Sequence, residues 1–157
     1  MNHKTMKTVA LASAALFALH FAPAAQAQDP SEASAALSLT IDGLTADSGR
    51  VWVGVYDSAD AWEAQEETRS VWAEIEDGQA VLVIEDAPVG ALGVQVFHDA
   101  NGNQDFDTNM LGVPRERYGF SNNPRPRFRG ANWDEAMFDL APGERRDMTI
   151  SVHGVRG

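Results

Sequence analysis

The sequence contains no cysteine, and its only lysines are Lys4 and Lys7. Without cysteine the protein has no disulfide bonds, no thiolate metal sites and no thiol nucleophile. Of the 12 basic residues two are these lysines, so residues 28–157 hold ten arginines against 23 acidic residues, a formal net charge of −13. Such a charge argues against general binding to nucleic acids or to anionic membranes.

The N-terminus has the three-part layout of a secretory signal peptide. Two lysines precede an apolar stretch, Val9–Ala22, which Pro23 ends just before Ala25-Gln26-Ala27. The stretch is shorter than the roughly 20 residues of a membrane span, so an uncleaved anchor is the weaker alternative. We therefore predict a signal peptide over residues 1–27 and one domain over 28–157. The processed protein should be periplasmic or secreted, with no membrane span.

Apolar residues recur at every second position in short runs that Gly, Asp, Asn or Pro separate, which is the pattern of half-buried β-strands. The pattern predicts an all-β fold: a single Greek-key β-sandwich of about seven strands, immunoglobulin-like or prealbumin-like, with one long loop. The predicted strands are 37–41, 51–55, 71–75, 80–84, 92–96, 136–140 and 148–152.

Turn signals between the runs predict that strands adjacent in the sequence pair with each other. Runs 37–41 and 51–55 form a first antiparallel pair, and Asp-Gly at 77–78 favours a tight hairpin between the next two. Pro-Gly at 142–143 joins the last two runs. The alternation also predicts core side chains, among them Val94, Val96, Phe138 and Ile150.

Two segments depart from the strand pattern. Ser58 is a suitable N-cap for a short helical stretch over Ala61–Glu67. The second segment, Asp99–Glu135, contains no convincing strand and is long for a connection inside a compact domain. Its aromatic residues are too many for a solvated linker, so we expect it to fold back on the sandwich. These residues are Tyr118, Phe120, Phe128 and Trp133.

The segment that begins at Val96 carries an ordered set of motifs. Val96-Phe97-His98-Asp99-Ala100-Asn101-Gly102-Asn103 is followed by Asp107-Thr108-Asn109, Gly112-Val113-Pro114, Glu116 and Tyr118-Gly119-Phe120-Ser121-Asn122-Asn123. With these motifs the chain resembles an exported bacterial domain-of-unknown-function family over nearly all of residues 28–157. The resemblance implies a small β-sandwich that follows a signal peptide, and it implies no activity.

Five side chains with oxygen atoms alternate along the start of the long loop. This is the spacing with which an EF-hand-like loop surrounds calcium, so Ca²⁺ is the candidate cofactor. The sixth position is Gln104 rather than glycine, and the twelfth is Met110 rather than glutamate, although Glu116 could supply a carboxylate. The alternative is a turn whose Asx side chains bond their own backbone. The five residues are Asp99, Asn101, Asn103, Asp105 and Asp107.

Half of the arginines after residue 28 lie within fifteen positions, at Arg115, Arg117, Arg125, Arg127 and Arg129. Guanidinium groups bind phosphate, sulfate or uronate through paired hydrogen bonds, which makes this cluster a candidate ligand site. The favoured alternative is that these arginines pair with the abundant carboxylates. His98 is a candidate base or zinc ligand, but a hydrogen-bonded structural role is favoured.

Trp52, Tyr56 and Trp72 alternate with the valines of their strands and therefore lie on the opposite face of the sheet. Exposed, these rings would form a platform on which sugars stack. Covered by the long loop, they would form a second layer of core, which we consider the better interpretation.

Together these features predict a non-enzymatic exported binding or structural module, with or without stabilising calcium, whose working surface is the loop over residues 99–130. The alternative is a carbohydrate- or polyanion-binding module that uses the tryptophans or the arginines. A second alternative is a metal-dependent hydrolase centred on His98, Asp99 and Asp107. The expected partner is a glycan or protein of the cell envelope.

Overall fold

The computed structural model describes residues 34–126 and 129–154. The predicted signal peptide, together with Arg127 and Phe128, lies outside the described residues. Within the described ranges, no helix is both long enough and apolar enough to cross a membrane.

Two β-sheets pack face to face, which confirms the predicted all-β sandwich. One sheet has three strands in the order β4-β1-β8, and the larger has the order β3-β2-β5-β6 with β7 also paired to β5. The strands are β1 (Ala35–Asp42), β2 (Arg50–Tyr56), β3 (Arg69–Ala73), β4 (Ala80–Ala87), β5 (Gly90–Asp99), β6 (Tyr118–Phe120), β7 (Phe138–Leu140) and β8 (Arg145–Ser151). The helices are α1 (Ala59–Ala64) and α2 (Trp133–Ala136).

The predicted pairing of strands adjacent in sequence is wrong in all three places. β1 and β2 belong to different sheets, and β1 instead pairs antiparallel with β4 and parallel with β8. The Asp-Gly turn does form, with positive φ at both residues and a bridge between Glu76 and Gln79, but β3 and β4 then diverge into different sheets. β7 pairs with β5 rather than with β8. A tight turn can join two strands that belong to different sheets, so a turn signal alone does not predict a hairpin.

The core lies between the two sheets and is mostly aliphatic. From the larger sheet, the valines of β2 and β5 point inward, and from the smaller sheet Leu37, Leu39 and Ile41 meet them. The predicted core residues Val94, Val96, Phe138 and Ile150 are all buried. The alternation therefore predicted the inward face correctly, although it did not predict the strand partners.

Helix α1 covers one end of the outer face of the larger sheet. The Ser58 hydroxyl accepts a hydrogen bond from the Ala61 N–H, as predicted for the N-cap, although the helix spans Ala59–Ala64 rather than the predicted stretch. Buried Trp62 packs on Gly93 of β5, where a Cβ atom would lie only 2.8 Å from the Trp62 ring and 2.9 Å from the Trp133 ring. Only glycine permits this close approach.

The long segment after β5 contains one short strand, β6, and one helical turn, α2, so the expectation of no strand in this segment is wrong. The aromatic residues of this segment that the structure describes do fold back on the sandwich. Phe120 packs with Trp62 in a second buried cluster, against which Tyr118 and Trp133 lie. This segment therefore forms much of the outer surface of the larger sheet.

Candidate functional site

Aromatic side chains form a row across the outer face of the larger sheet. The strand register places Trp52 between Trp72 and Phe97, and Phe97 opposite Tyr118, so four neighbouring strands each contribute one ring. Since strands lie about 4.8 Å apart, this row is about 14 Å long. We call these four residues the aromatic row.

Next to the aromatic row lies a shallow groove of about 150 Å³. The same register places Ser70, Gly54, Gln95 and Phe120 side by side along its floor. Because Gly54 has no side chain, the Tyr56 ring lies close over it, and a Cβ atom there would be 3.2 Å from that ring. The rest of the lining is Trp52, Tyr56, Gln65, Glu67, Val96, Phe97, Phe106 and Tyr118.

The groove combines apolar rings with polar side chains that have free hydrogen-bonding capacity. Phe106, 41% exposed, reaches in from the long loop and packs against the rings of Phe97 and Tyr118 at 5.5 and 5.8 Å. Within the described part of the chain, no residue hydrogen-bonds the side chains of Ser70 and Gln95. These two side chains can therefore donate to and accept from a ligand.

Tyr56 forms the wall opposite the aromatic row. Burial, and secondly the negative charge of Glu67, raise the pKa of its phenol to about 12. The phenol is consequently neutral at ordinary pH and retains its proton for donation. The adjacent Glu67 carboxylate offers acceptors at the same wall.

The sheet face that bears Trp52, Tyr56 and Trp72 is covered at one end and open at the other. Tyr56 is buried beneath Trp62, which it meets edge to face at 5.2 Å. Half-buried Trp52 lines the groove. Trp72 is 46% exposed but lies outside the groove, with the Arg50 guanidinium 4.1 Å from its ring centroid. The expected second layer of core is therefore present only at the α1 end.

Asp99, the first residue of the predicted calcium loop, is buried and accepts four hydrogen bonds. Its Oδ1 accepts from the backbone of Gly102 and Asn103 at 2.7 and 3.2 Å. Its Oδ2 accepts from Gln104 N at 2.9 Å and Trp52 Nε1 at 3.3 Å. Burial acts to raise the pKa of Asp99, but these hydrogen bonds outweigh burial and lower that pKa below its usual value. The carboxylate thus fixes the loop to the aromatic row.

The structure brings four of the five predicted calcium ligands together. The side-chain amides of Asn101 and Asn103 both donate to Asp107 Oδ2, at 2.6 and 3.3 Å. The oxygens of these two amides accept from the backbone N–H two residues later, and Asp105 is exposed. Within residues 34–126 and 129–154, no group of three or more His, Asp or Glu side chains is placed to hold a metal ion.

Glu116, which the sequence suggested as a carboxylate for calcium, binds the backbone at both ends of the residue 99–107 loop. It is buried, and its two carboxylate oxygens accept from the backbone of Ala100 at 3.2 Å and of Asp107 at 3.1 Å. Burial raises the pKa of Glu116 above its usual value, against the effect of these hydrogen bonds. The ordered motifs already included Glu116, but its backbone contacts depend on the fold of the loop.

His98 has the structural role that the sequence favoured. It lies on the inward side of β5, is 3% exposed, and its Nε2 is 2.8 Å from the Ser48 carbonyl oxygen. Since Asp99 follows it in the strand, the two side chains point to opposite faces. The structure therefore does not direct them toward one reaction centre.

The predicted arginine cluster is divided among several environments. Arg129 forms a paired contact with Glu135, with N–O distances of 2.7 and 2.9 Å. Among the described residues, no carboxylate lies within ion-pair distance of Arg115, Arg117 or Arg125. Arg127 lies outside the described residues. Carboxylate pairing thus accounts for one of the four described arginines.

Comparison with known proteins places the chain in a family. No curated protein and no solved structure is detectably similar to it. One family model matches residues 39–148, from the second half of β1 to the middle of β8. The match agrees with the resemblance seen in the sequence, and the chain belongs to the bacterial family described as "Uncharacterized protein conserved in bacteria (DUF2141)".

Proposed function

We propose that this protein is an exported, non-enzymatic binding module that holds a glycan of the cell envelope in the groove beside the aromatic row. The observation that carries the proposal is the register of Trp52, Phe97 and Tyr118 on three neighbouring strands. Three rings in one line offer a continuous apolar surface on a rigid sheet.

Sugars match this combination of surfaces. One face of a pyranose ring presents C–H groups that stack on aromatic rings, while its hydroxyls require donors and acceptors at the edge. Ser70, Gln95 and the Tyr56 phenol lie along the groove and provide them. A small number of polar groups among apolar ones is typical of sites that fix a ligand's orientation.

The shape of the groove favours an extended ligand. Its volume of about 150 Å³ is too small to enclose an ordinary small molecule, for which cavities of roughly 300–1,000 Å³ are usual. The three rings that line it, Trp52, Phe97 and Tyr118, nevertheless extend about 10 Å across the strands. A short linear oligosaccharide that lies across the strands would use both properties.

A non-enzymatic role is supported by what the buried titratable groups do. Asp99 and Glu116 accept backbone hydrogen bonds that fold the long loop, and the His98 ring contacts a backbone carbonyl. These groups stabilise the scaffold that presents the groove.

Titration with neutral cell-envelope oligosaccharides, followed by calorimetry and tryptophan fluorescence, tests the glycan proposal. Phe97→Ala and Gln95→Ala should each weaken binding roughly tenfold, the equivalent of about 1.4 kcal/mol. The matched control is Trp72→Ala, an exposed ring outside the groove, which should leave affinity unchanged. Equal loss in all three variants, or no saturable binding by the wild type, would remove the groove as the site.

The exported location rests on the residue 1–27 segment and is tested separately. Mass spectrometry of the protein from the producing cells should give a chain that begins at Gln28. An uncut chain in the membrane fraction would contradict this part of the proposal.

We further propose weak calcium binding by the residue 99–107 loop. The support is the alternating Asp/Asn run, of which the structure brings four side chains together, and Gln104, which adopts φ 70° at the position where a calcium loop turns. Since no twelfth-position glutamate is present, the dissociation constant should be on the order of 10⁻⁴ to 10⁻³ M.

Calcium at about ten times its dissociation constant should stabilise the folded state by roughly 1.4 kcal/mol. Asn103→Ala should abolish most of this gain. Asp105→Ala is the control, because a seventh-position residue ligates through its backbone carbonyl. Absence of calcium heat, with melting unchanged by chelator, would show that the loop is a purely hydrogen-bonded turn.

A further inference from the structure

A second cavity, separate from the groove, opens where the edges of the two sheets meet. It has a volume of about 570 Å³ and lies between the end of β1, the chain before β6, and the segment that follows β8. Its lining is Asp42, Gly43, Arg117, Arg125, Ser151, Val152, His153 and Gly154. Cavities of this size accommodate small organic ligands.

Arg117 reaches this cavity with unused hydrogen-bonding capacity. Its Nη2 donates to the Val152 carbonyl at 3.2 Å, which holds the guanidinium at the cavity wall. Its Nε is buried and has no hydrogen-bond partner among the described residues. Its Nη1, which is not buried and has no hydrogen-bond partner among the described residues, is the donor available to a ligand in the cavity.

Arg125 lies at the cavity because the preceding asparagine fastens its loop to β8. The Asn123 side chain donates to the Thr149 carbonyl at 2.8 Å and accepts from the Ser151 N–H at 2.7 Å. The Asn123 side chain thus bonds a C=O and an N–H of β8, as the backbone of a neighbouring strand would, and so attaches the loop to β8. Arg125 is thereby presented by a fixed segment and remains exposed.

The charge of the cavity is opposite to that of the protein. Among the described residues, neither Arg117 nor Arg125 has a carboxylate within ion-pair distance, and Asp42 is the only acidic lining residue. Two guanidinium groups therefore outnumber one carboxylate, in a chain with a formal net charge of −11. In so acidic a protein, unpaired arginines that share a cavity require a specific explanation.

We propose that this cavity binds an oxyanion: a phosphate, sulfate or carboxylate group, either free or carried on a larger ligand. The planar guanidinium of Arg117 would donate to one oxygen through its accessible Nη1, and Arg125, which also lines the cavity, would donate to another. The site is also close to the groove, since Tyr118 lines the groove and its ring contacts His153 of the cavity at 4.9 Å. An acidic glycan would be able to reach both.

Calorimetric titration with inorganic phosphate and with sulfate, at constant ionic strength, tests the site directly. Arg125→Gln should weaken binding roughly 10- to 100-fold, the equivalent of one lost charge-assisted hydrogen bond. Arg117→Lys keeps the positive charge but removes the planar fork, and should also weaken binding. Since Arg125 is exposed, its variant should fold normally even if an Arg117 variant does not.

The matched control is Arg115→Gln, which removes an exposed arginine of the same loop that does not line the cavity. It should change affinity less than twofold, within the range expected of a remote surface charge. If Arg115→Gln weakens binding as much as Arg125→Gln, the effect is general electrostatics and the site is refuted. No saturable binding of either ion by the wild type refutes it as well.

A second arm identifies the source of the oxyanion. Glucuronate-containing and neutral oligosaccharides of equal length are compared in the wild type and in Arg125→Gln. Tighter binding of the acidic glycan, lost in the variant, assigns the oxyanion to the ligand of the groove. If the variant loses only inorganic ions, the cavity is an independent anion site. The ion titration does not involve the groove. The anion-site proposal can therefore be refuted while the glycan proposal stands, and the glycan proposal can be refuted while the anion-site proposal stands.

Discussion

The two faces of the larger sheet are built from the same strands, yet they differ in chemistry. On the inner face Val51, Val53 and Val55 are fully buried and β-branched. On the outer face the alternate positions hold Trp52, Gly54 and Tyr56, so a glycine without a side chain lies between two aromatic residues. The inner face is a uniform packing surface, whereas the outer face is uneven.

The difference shows how one sheet serves both stability and recognition. Aliphatic side chains of similar size interdigitate without gaps, which suits a core. On the uneven outer face, the rings of α1 and α2 cover one end by packing on Gly93, and the other end stays open as the groove. The stability of the domain should therefore depend on the inner face and the covered end, and ligand binding on the open end.

The largest effect should come from a charge placed on the inner face. Val96→Asp buries an unpaired carboxylate between the sheets and should lower the free energy of unfolding by more than about 4 kcal/mol. Gln95→Asp, its neighbour on the outer face, should cost less than about 1 kcal/mol. Chemical denaturation measures both, and similar losses would mean that the two faces are not distinct.

An intermediate effect should appear at the covered end of the outer face. In Gly93→Ala the new methyl group meets the Trp62 and Trp133 rings below 3.0 Å, so overpacking should cost about 1–3 kcal/mol of unfolding free energy. Gly54→Ala, at the open end, meets the Tyr56 ring at 3.2 Å and should cost less. If thermal melts rank the two glycines in the opposite order, the covered end is packed more loosely than described.

The smallest effect should be that of the surface ion pair that holds the segment before α2. Hydrogen bonds from Arg129 and then from Asn132 N lower the pKa of Glu135 from 4.5 to about 2. A lowered carboxyl pKa stabilises the folded state above the unfolded value, and this stabilisation is lost as the pH falls through about 2. Wild type should thus melt above Glu135→Gln at pH 5 to 7, and the difference should vanish near pH 2. A difference that persists at pH 2 would exclude this carboxylate as its cause.

Residue alternation predicted most strands and their buried faces, because each is a local property of the sequence. It could not predict partners: β1 meets β8 in parallel, and nothing in either run encodes that contact. The strand β6 was missed because its residues were assigned to the long loop between two predicted strands. Its Tyr118 and Phe120 were noticed as aromatics and not as alternate positions of a strand.

The candidate sites were harder to predict than the fold. Trp52 and the alternating Asp99 loop were identified, but the groove depends on Trp52, Phe97 and Tyr118 being in register, which requires the strand order. To predict the anion cavity, one would have to know that the Asn123 side chain attaches its loop to β8. The sequence identified Arg117 and Arg125 as members of an arginine cluster. It did not show that Arg129 pairs with Glu135 while these two line a cavity.

The position of β1 between β4 and β8 has a consequence for the time course of folding. Ala36 lies opposite Arg145, so the central strand of the smaller sheet obtains its second neighbour from the far end of the domain. Contacts between such distant segments make folding slow. The smaller sheet cannot be completed until β8 has been synthesised, and the valines of the larger sheet lack their full cover until then. A chain with this topology completes its fold late, which is compatible with the passage of an unfolded chain through a secretion channel that our export proposal requires.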